Sequence, residues 1–169
     1  MSGDRPSTVV VDTSVLINLA ILDRIGLLGA LTQLRFVIPG EVLAEVTKPQ
    51  QRRRVAKALE AGLLEEVALD EPEPLARFAA LRKQMKLGEA ACLVLVVAKG
   101  WLFVCDEGRV VCREATRLLG KNRLLNTPGL FLLGIRTGFW TVDQADEAKA
   151  VLEAHRYRLK FGSFRELIR

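Results

Sequence analysis

Val9, Val10 and Val11 form an all-apolar, β-branched run without polar alternation, the pattern of a strand covered on both faces. The run ends on Asp12. Thr13 or Ser14 is then the expected N-cap of a helix carrying Val15, Leu16, Leu19 and Leu22 on one side. Asp12 is thereby predicted at the carboxyl end of a parallel strand, in a strand-to-helix turn, where open α/β sheets bind their ligands. The same grammar recurs downstream. Residues 25–34 give a short helical pattern, and residues 35–38 read as a strand stopped by Pro39. A helix over 41–46 follows, with Val42 and Val46 on one face and Glu45 on the neighbouring face. The basic stretch 48–54 reads as a connection into a helix over 55–61, and 63–69 as an edge strand, because Glu65 and Glu66 interrupt it. Beyond the acidic, Pro-rich connector 70–74, a helix is predicted over 75–85. A break at Leu87-Gly88 and then Glu89 lead into a helix over 90–99 that is apolar nearly all round and hence central. Residues 101–105 form the next buried strand, again ending on an aspartate, Asp106. A helix over 109–119, a short strand over 124–127, a helix begun at Pro128 and a helix over 143–155 complete the pattern. The alternating tail, 157–168, is expected to pack as an edge strand plus a helical cap. Strands alternating with helices predict a three-layer α/β/α sandwich around a central, mostly parallel sheet.

The length, 169 residues, suits a single domain spanning 1–169. No internal repeat interrupts it. The formal charge of +5 is modest, compatible with a polyanionic partner without demanding one. Residues 1–8 show no secretory signal, and the longest apolar run, 90–98, is far short of the roughly 20 residues of a membrane span, so no membrane partner and a cytoplasmic setting are expected. Three cysteines, Cys92, Cys105 and Cys112, in apolar surroundings and a single histidine, His155, argue against a zinc site and for buried thiols. No glycine-rich nucleotide loop occurs. An aspartyl-phosphate phosphatase would need an aspartate where Ser14 stands.

Four acids change the picture. Asp12 and Asp106 end strands, while Glu45 and Glu89 lie near helix starts. Neighbouring parallel strands would bring all four to one sheet edge. Like charges about 4 Å apart repel by several kcal/mol in a partly buried site, so either protons or a divalent cation must compensate them. Oxygen donors without histidine or cysteine favour Mg²⁺ or Mn²⁺. One or two such ions could activate water against a phosphodiester. Thr13 and Ser14 could orient a phosphate, and Asn18, one turn beyond Ser14, could support ligand or substrate. Each acid also has a bland reading: Asp12 as a helix cap, Glu45 as solvated surface, Glu89 as a complement to the helix dipole.

Taken in order, the motifs resemble those of PIN-domain ribonucleases. Val11-Asp12-Thr13-Ser14-Val15-Leu16-Ile17-Asn18 resembles the opening motif, Pro39-x-x-Val42-x-x-Glu45 the second, and Gly88-Glu89-Ala90-Ala91 the third in its glutamate version. Asp106-Glu107 followed by Arg113-x-Ala115 resembles the fourth, and Thr127-Pro128-Gly129-Leu130 resembles a Gly-Thr-x-Gly segment of a branch close to the VapC-type toxins, with Asn126 in place of the first glycine. The resemblance spans about 8–138, leaving 139–169 as a C-terminal extension. It implies Asp12, Glu45, Glu89 and Asp106 as catalytic acids. Asp12, Glu89, Asp106 and Glu107 would be the metal ligands, with Thr13, Ser14, Asn18 and Arg113 in support. It further implies a Mg²⁺- or Mn²⁺-dependent endoribonuclease acting on single-stranded or structured RNA. Such an enzyme could be the toxin of a toxin–antitoxin pair, with a protein antitoxin and a homodimer among its partners. The alternative is a catalytically inactive PIN module that binds RNA or protein as a scaffold.

Overall fold

The computed structural model describes residues 5–106 and 108–168. The chain runs β1 (Ser7–Val11), α1 (Thr13–Ile21), α2 (Leu27–Ala30), β2 (Leu34–Pro39), α3 (Gly40–Glu45), α4 (Pro49–Glu60), β3 (Glu65–Val67) and α5 (Pro72–Leu81). It continues through α6 (Leu87–Lys99), β4 (Leu102–Val104), α7 (Val110–Leu119), β5 (Leu124–Leu125), α8 (Thr127–Arg136) and α9 (Val142–Ala154). The five strands form one wholly parallel sheet in the order β3-β2-β1-β4-β5. This is the α/β/α sandwich expected.

The strand order carries a functional consequence. From β1 the chain winds outward through β2 to β3, then returns to pair β4 on the other side of β1. The gap between the carboxyl ends of β1 and β4 is therefore the topological switch point, the crevice where doubly wound sheets bind ligands. Val11 pairs with Val104, and the Asp12 amide donates to the Val104 carbonyl at 3.0 Å. Asp12 and Asp106 thus flank the switch point.

Burial follows the sequence pattern at the centre. Val9 to Val11, Val37, Ile38, Phe103 and Val104 are buried, and α6 is buried continuously from Gly88 to Val96. Gly100 closes α6 at φ +64, a left-handed conformation that glycine adopts without Cβ strain. Several local expectations differ from the fold: the expected break at Leu87-Gly88 is the first turn of α6, and α5 starts at Pro72, inside the expected connector. The N-cap of α1 is Asp12 itself, with Thr13 already helical. Helix α4 begins at Pro49, because proline fits a first helical position, so most of the basic connection is helix. Within it, Arg54 Nη1 donates to the carbonyl oxygens of Ala20 (2.6 Å) and Ile21 (3.3 Å), closing the C-terminus of α1.

The tail does not join the sheet as an edge strand. It ends in a 3₁₀ turn, Phe164–Glu166, whose buried Phe164 ring packs 5.5 Å from Phe131 of α8, with Phe161 behind it at 4.9 Å. Ser163 Oγ and the Phe164 amide both donate to Asp146 of α9. An aromatic anchor and a carboxylate clasp thus hold residues that the alternating pattern alone assigned to a strand. No helix among the described residues is long and apolar enough to cross a membrane.

Candidate active site

The β1–α1 turn, the end of α3, the start of α6 and the start of α7 converge on one cleft of about 400 Å³. Asp12, Thr13, Ser14, Glu45, Lys86, Glu89 and Arg109 all contribute to its walls.

Asp12 is fully buried. Ser14 Oγ donates to its Oδ2 at 2.6 Å, whereas Oδ1 is buried and has no hydrogen-bond partner among the described residues. Burial pushes the Asp12 carboxyl above its ordinary value; the Ser14 bond and the Arg109 charge oppose the rise, and Glu89 adds to it. An ionised oxygen in that position is costly unless a positive group reaches it.

Glu45 is held differently. Thr13 Oγ1 donates to Oε2 and the Gly88 amide to Oε1, both at 2.8 Å. The carboxylate therefore sits against the N-terminus of α6, where the helix dipole favours a negative charge. Only glycine permits this: a Cβ on Gly88 would lie 2.7 Å from both Glu45 Oε2 and Thr13 Oγ1. Gly88→Ala should displace Glu45 from the cleft and lower activity by about 10²-fold, the scale of a misplacement near 1 Å. Steady-state kinetics with circular dichroism as a check on folding would measure it; unchanged kcat/KM would remove Glu45 from the site.

Glu89 lies in the first turn of α6, where its charge complements the helix dipole, and it also accepts from the Lys86 amide at 3.3 Å. Its other oxygen faces Arg109 Nε at 3.9 Å, the glutamate largely buried and the arginine side chain 40 % exposed. Glu89 caps and lines the cleft at once.

Asp106 stands behind this cleft, bound from the β5–α8 side. The Thr127 amide donates to Oδ1 (2.9 Å), and Thr127 Oγ1 (3.0 Å) and Asn18 Nδ2 (3.5 Å) donate to Oδ2. The register explains the pair: Val104 lies opposite Leu125, so Asp106 and Thr127, each two residues further on, meet just beyond the strands. Thr127→Val removes one charge-assisted bond from a buried carboxylate and should cost about 1–3 kcal/mol of stability. As loss of an orienting partner, it should also reduce activity about 10- to 100-fold. Wild-type activity in that variant would make Asp106 a structural residue.

The structure thus gathers Asp12, Thr13, Ser14, Glu45 and Glu89 around one cleft, whereas Asp106 is not among the residues lining it and is held by Asn18 and Thr127. Among the described residues, no three His, Cys, Asp or Glu side chains stand close enough together to hold one metal ion. Glu107 lies outside the described residues. Arg113 faces another pocket, on the β5 side of the sheet edge, rather than this cleft. Two cations at the cleft, Lys86 and Arg109, were not singled out by the motifs. Both are N-caps, of α6 and α7, where a positive charge opposes the helix dipole. That local conflict is the sequence signal that could have found them.

A protein-family model for the PIN domain matches residues 8–168. No curated protein and no solved structure matches the chain. The family match covers nearly the whole sequence, and the fold it describes, an α/β/α nuclease fold, agrees with the parallel sheet found here. The chain belongs to the PIN-domain family.

Proposed function

We propose that this protein is a metal-dependent endoribonuclease whose site is the cleft at the β1–β4 switch point. The observation that carries the reading is the buried, unpartnered Asp12 Oδ1 beside Glu89. The donor set fits a hard divalent ion: the acids at the cleft are carboxylates, with no histidine or cysteine among its lining residues. It suits Mg²⁺ or Mn²⁺ bound through one or two carboxylates, with waters and a substrate phosphate completing the shell, better than an all-protein cage. Asp12 and Glu89 would hold the ion, with Asp106 and Glu45 adding negative potential. When bound, it would supply Lewis acidity toward the phosphodiester and lower the pKa of a water.

The protein's own groups do the rest. Ser14 fixes the orientation of Asp12, and Thr13 with the Gly88 amide fixes Glu45. Thr127 and Asn18 fix Asp106. Lys86 and Arg109 at the rim attract the RNA backbone and counter the charge that develops on its phosphate.

A mixed-sequence single-stranded RNA incubated with Mn²⁺ or Mg²⁺, with and without EDTA, tests the proposal. Internal cleavage abolished by EDTA is expected. A second reading, a non-catalytic module binding RNA or protein, draws on the full engagement of Glu45 and Asp106 by protein donors. RNA binding without cleavage under any of these conditions would favour it.

A further inference from the structure

A second cavity of about 400 Å³ opens on the other side of Asp106, between α7 and the β5–α8 turn. Its apolar floor is Leu124, Leu125, Cys105 and Cys112, and its mouth carries Arg113 and Lys121. Thr116 and Asn126 add polar edges. The volume falls within the roughly 300–1,000 Å³ of small-ligand sites, at the lower end. Neither the Arg113 nor the Lys121 side chain has an ion-pair or hydrogen-bond partner among the described residues, although nearby Arg117 and Arg123 both do. Two uncommitted cations over an apolar floor are suited to a ligand with a flat apolar face and an anionic group.

The cavity is also tied to the candidate active site by adjacent residues. Cys105 in its floor precedes Asp106, and Asn126 at its edge precedes Thr127, which binds Asp106 through both amide and hydroxyl. Gly108 at its rim precedes Arg109 of the cleft. Asp106 and Thr127, bonded to each other, are thus each joined directly along the chain to a residue of the cavity. The cavity and the cleft share no lining residue and come within one residue of each other along the chain, at Gly108 and Arg109.

We propose that the cavity is a nucleotide-binding subsite, with a base on Leu124, Leu125 and Cys105 and a phosphate on Arg113 and Lys121. Drawing that nucleotide from an RNA chain rests on the ribonuclease reading above; the pocket itself does not. Its chemistry is that of a nucleoside phosphate, from RNA or from a free mononucleotide.

The test uses the full chain in EDTA, so that binding is read without cleavage. A fluorescent mixed-sequence oligoribonucleotide is titrated at several salt concentrations, and adenosine and uridine 5′-monophosphates are titrated separately. The variants are Lys121→Ala, Arg113→Gln and Thr116→Leu, the last filling the cavity with a good helix former. Each charge variant should weaken RNA binding about three- to tenfold and reduce the slope of log K against log salt by about 0.7, the value for one lost single-strand phosphate contact. Thr116→Leu should weaken binding about tenfold with the salt slope unchanged, a split that a general loss of folding would not give. Wild-type RNA binding that all three variants retain overturns the subsite while leaving the ribonuclease reading intact. Mononucleotide binding lost in the variants, without RNA binding by the wild type, supports the pocket and overturns the RNA source. Neither ligand binding the wild type overturns the proposal.

Discussion

Asp12→Asn should lower RNA cleavage by at least about 10²–10³-fold, the magnitude of deleting one preorganised electrostatic contact, while raising the thermal stability of the metal-free protein. The second half follows from burial. Asp12 is fully buried with one oxygen unpartnered, and that desolvation raises its carboxyl above its ordinary value. At neutral pH the ionised form is therefore a cost to the folded state; the amide removes the charge and keeps the Ser14 bond at its carbonyl oxygen, its NH2 taking the unpartnered place of Oδ1 at a smaller cost than a buried charge. For a chain of this size each kcal/mol recovered is worth about 2–4 °C in Tm. The native carboxyl binds a proton more readily than the unfolded one, so the wild type gains stability as pH falls from neutral through the raised value toward the ordinary carboxylate range. The advantage of Asp12→Asn should shrink over that window. Melting curves in EDTA between neutral and mildly acidic pH, beside single-turnover cleavage, measure both effects. A variant that is less stable than the wild type at neutral pH would contradict the electrostatic account of the site.

The second large effect is on folding. Phe131 of α8 is fully buried, with Trp140 edge-on at 4.7 Å and Phe164 at 5.5 Å, and Trp140 Nε1 donates to the Phe131 carbonyl at 3.2 Å. Removing this ring empties the point where α8, α9 and the tail meet. Phe131→Ala should cost about 3–5 kcal/mol, a large share of the about 5–15 kcal/mol by which a domain is usually stable. We propose that residues 1–169 unfold as one unit, so the denaturation midpoint should drop in a single transition with the slope unchanged. A separate early transition, with the sheet unfolding as in the wild type, would make the C-terminal extension an independent appendage.

The centre of the fold was legible because burial there is complete. Val9 to Val11 and the all-round apolar α6 admit one reading each: buried parallel strand and buried helix. Asp12 closes the β1 run and Glu89 sits in the first turn of α6, and both come to the cleft at the carboxyl edge of the sheet. The tail is ambiguous in the sequence because alternation at Tyr157, Leu159 and Phe161 is also what an extended segment shows when it packs rings into a helix pair. Lys48 to Arg54 has the charge of a connection, which conceals a helix begun at Pro49 and held through Arg54. At the site, the motifs supplied the acids but not the cations. Arg109 and Lys86 break the local rule against positive charge at a helix N-terminus, and such conflicts gather where a site needs them. The hold of Thr127 on Asp106 depends on the β4–β5 register, which no short motif encodes.

Calorimetric titration of Mn²⁺ into the metal-free wild type and into Asp12→Asn, at neutral pH, tests the claim that the switch-point cleft is a divalent-cation site. Saturable binding to the wild type, displaced by Mg²⁺ and lost in Asp12→Asn, is the predicted result. Equal binding by both proteins, or none by the wild type, would contradict it.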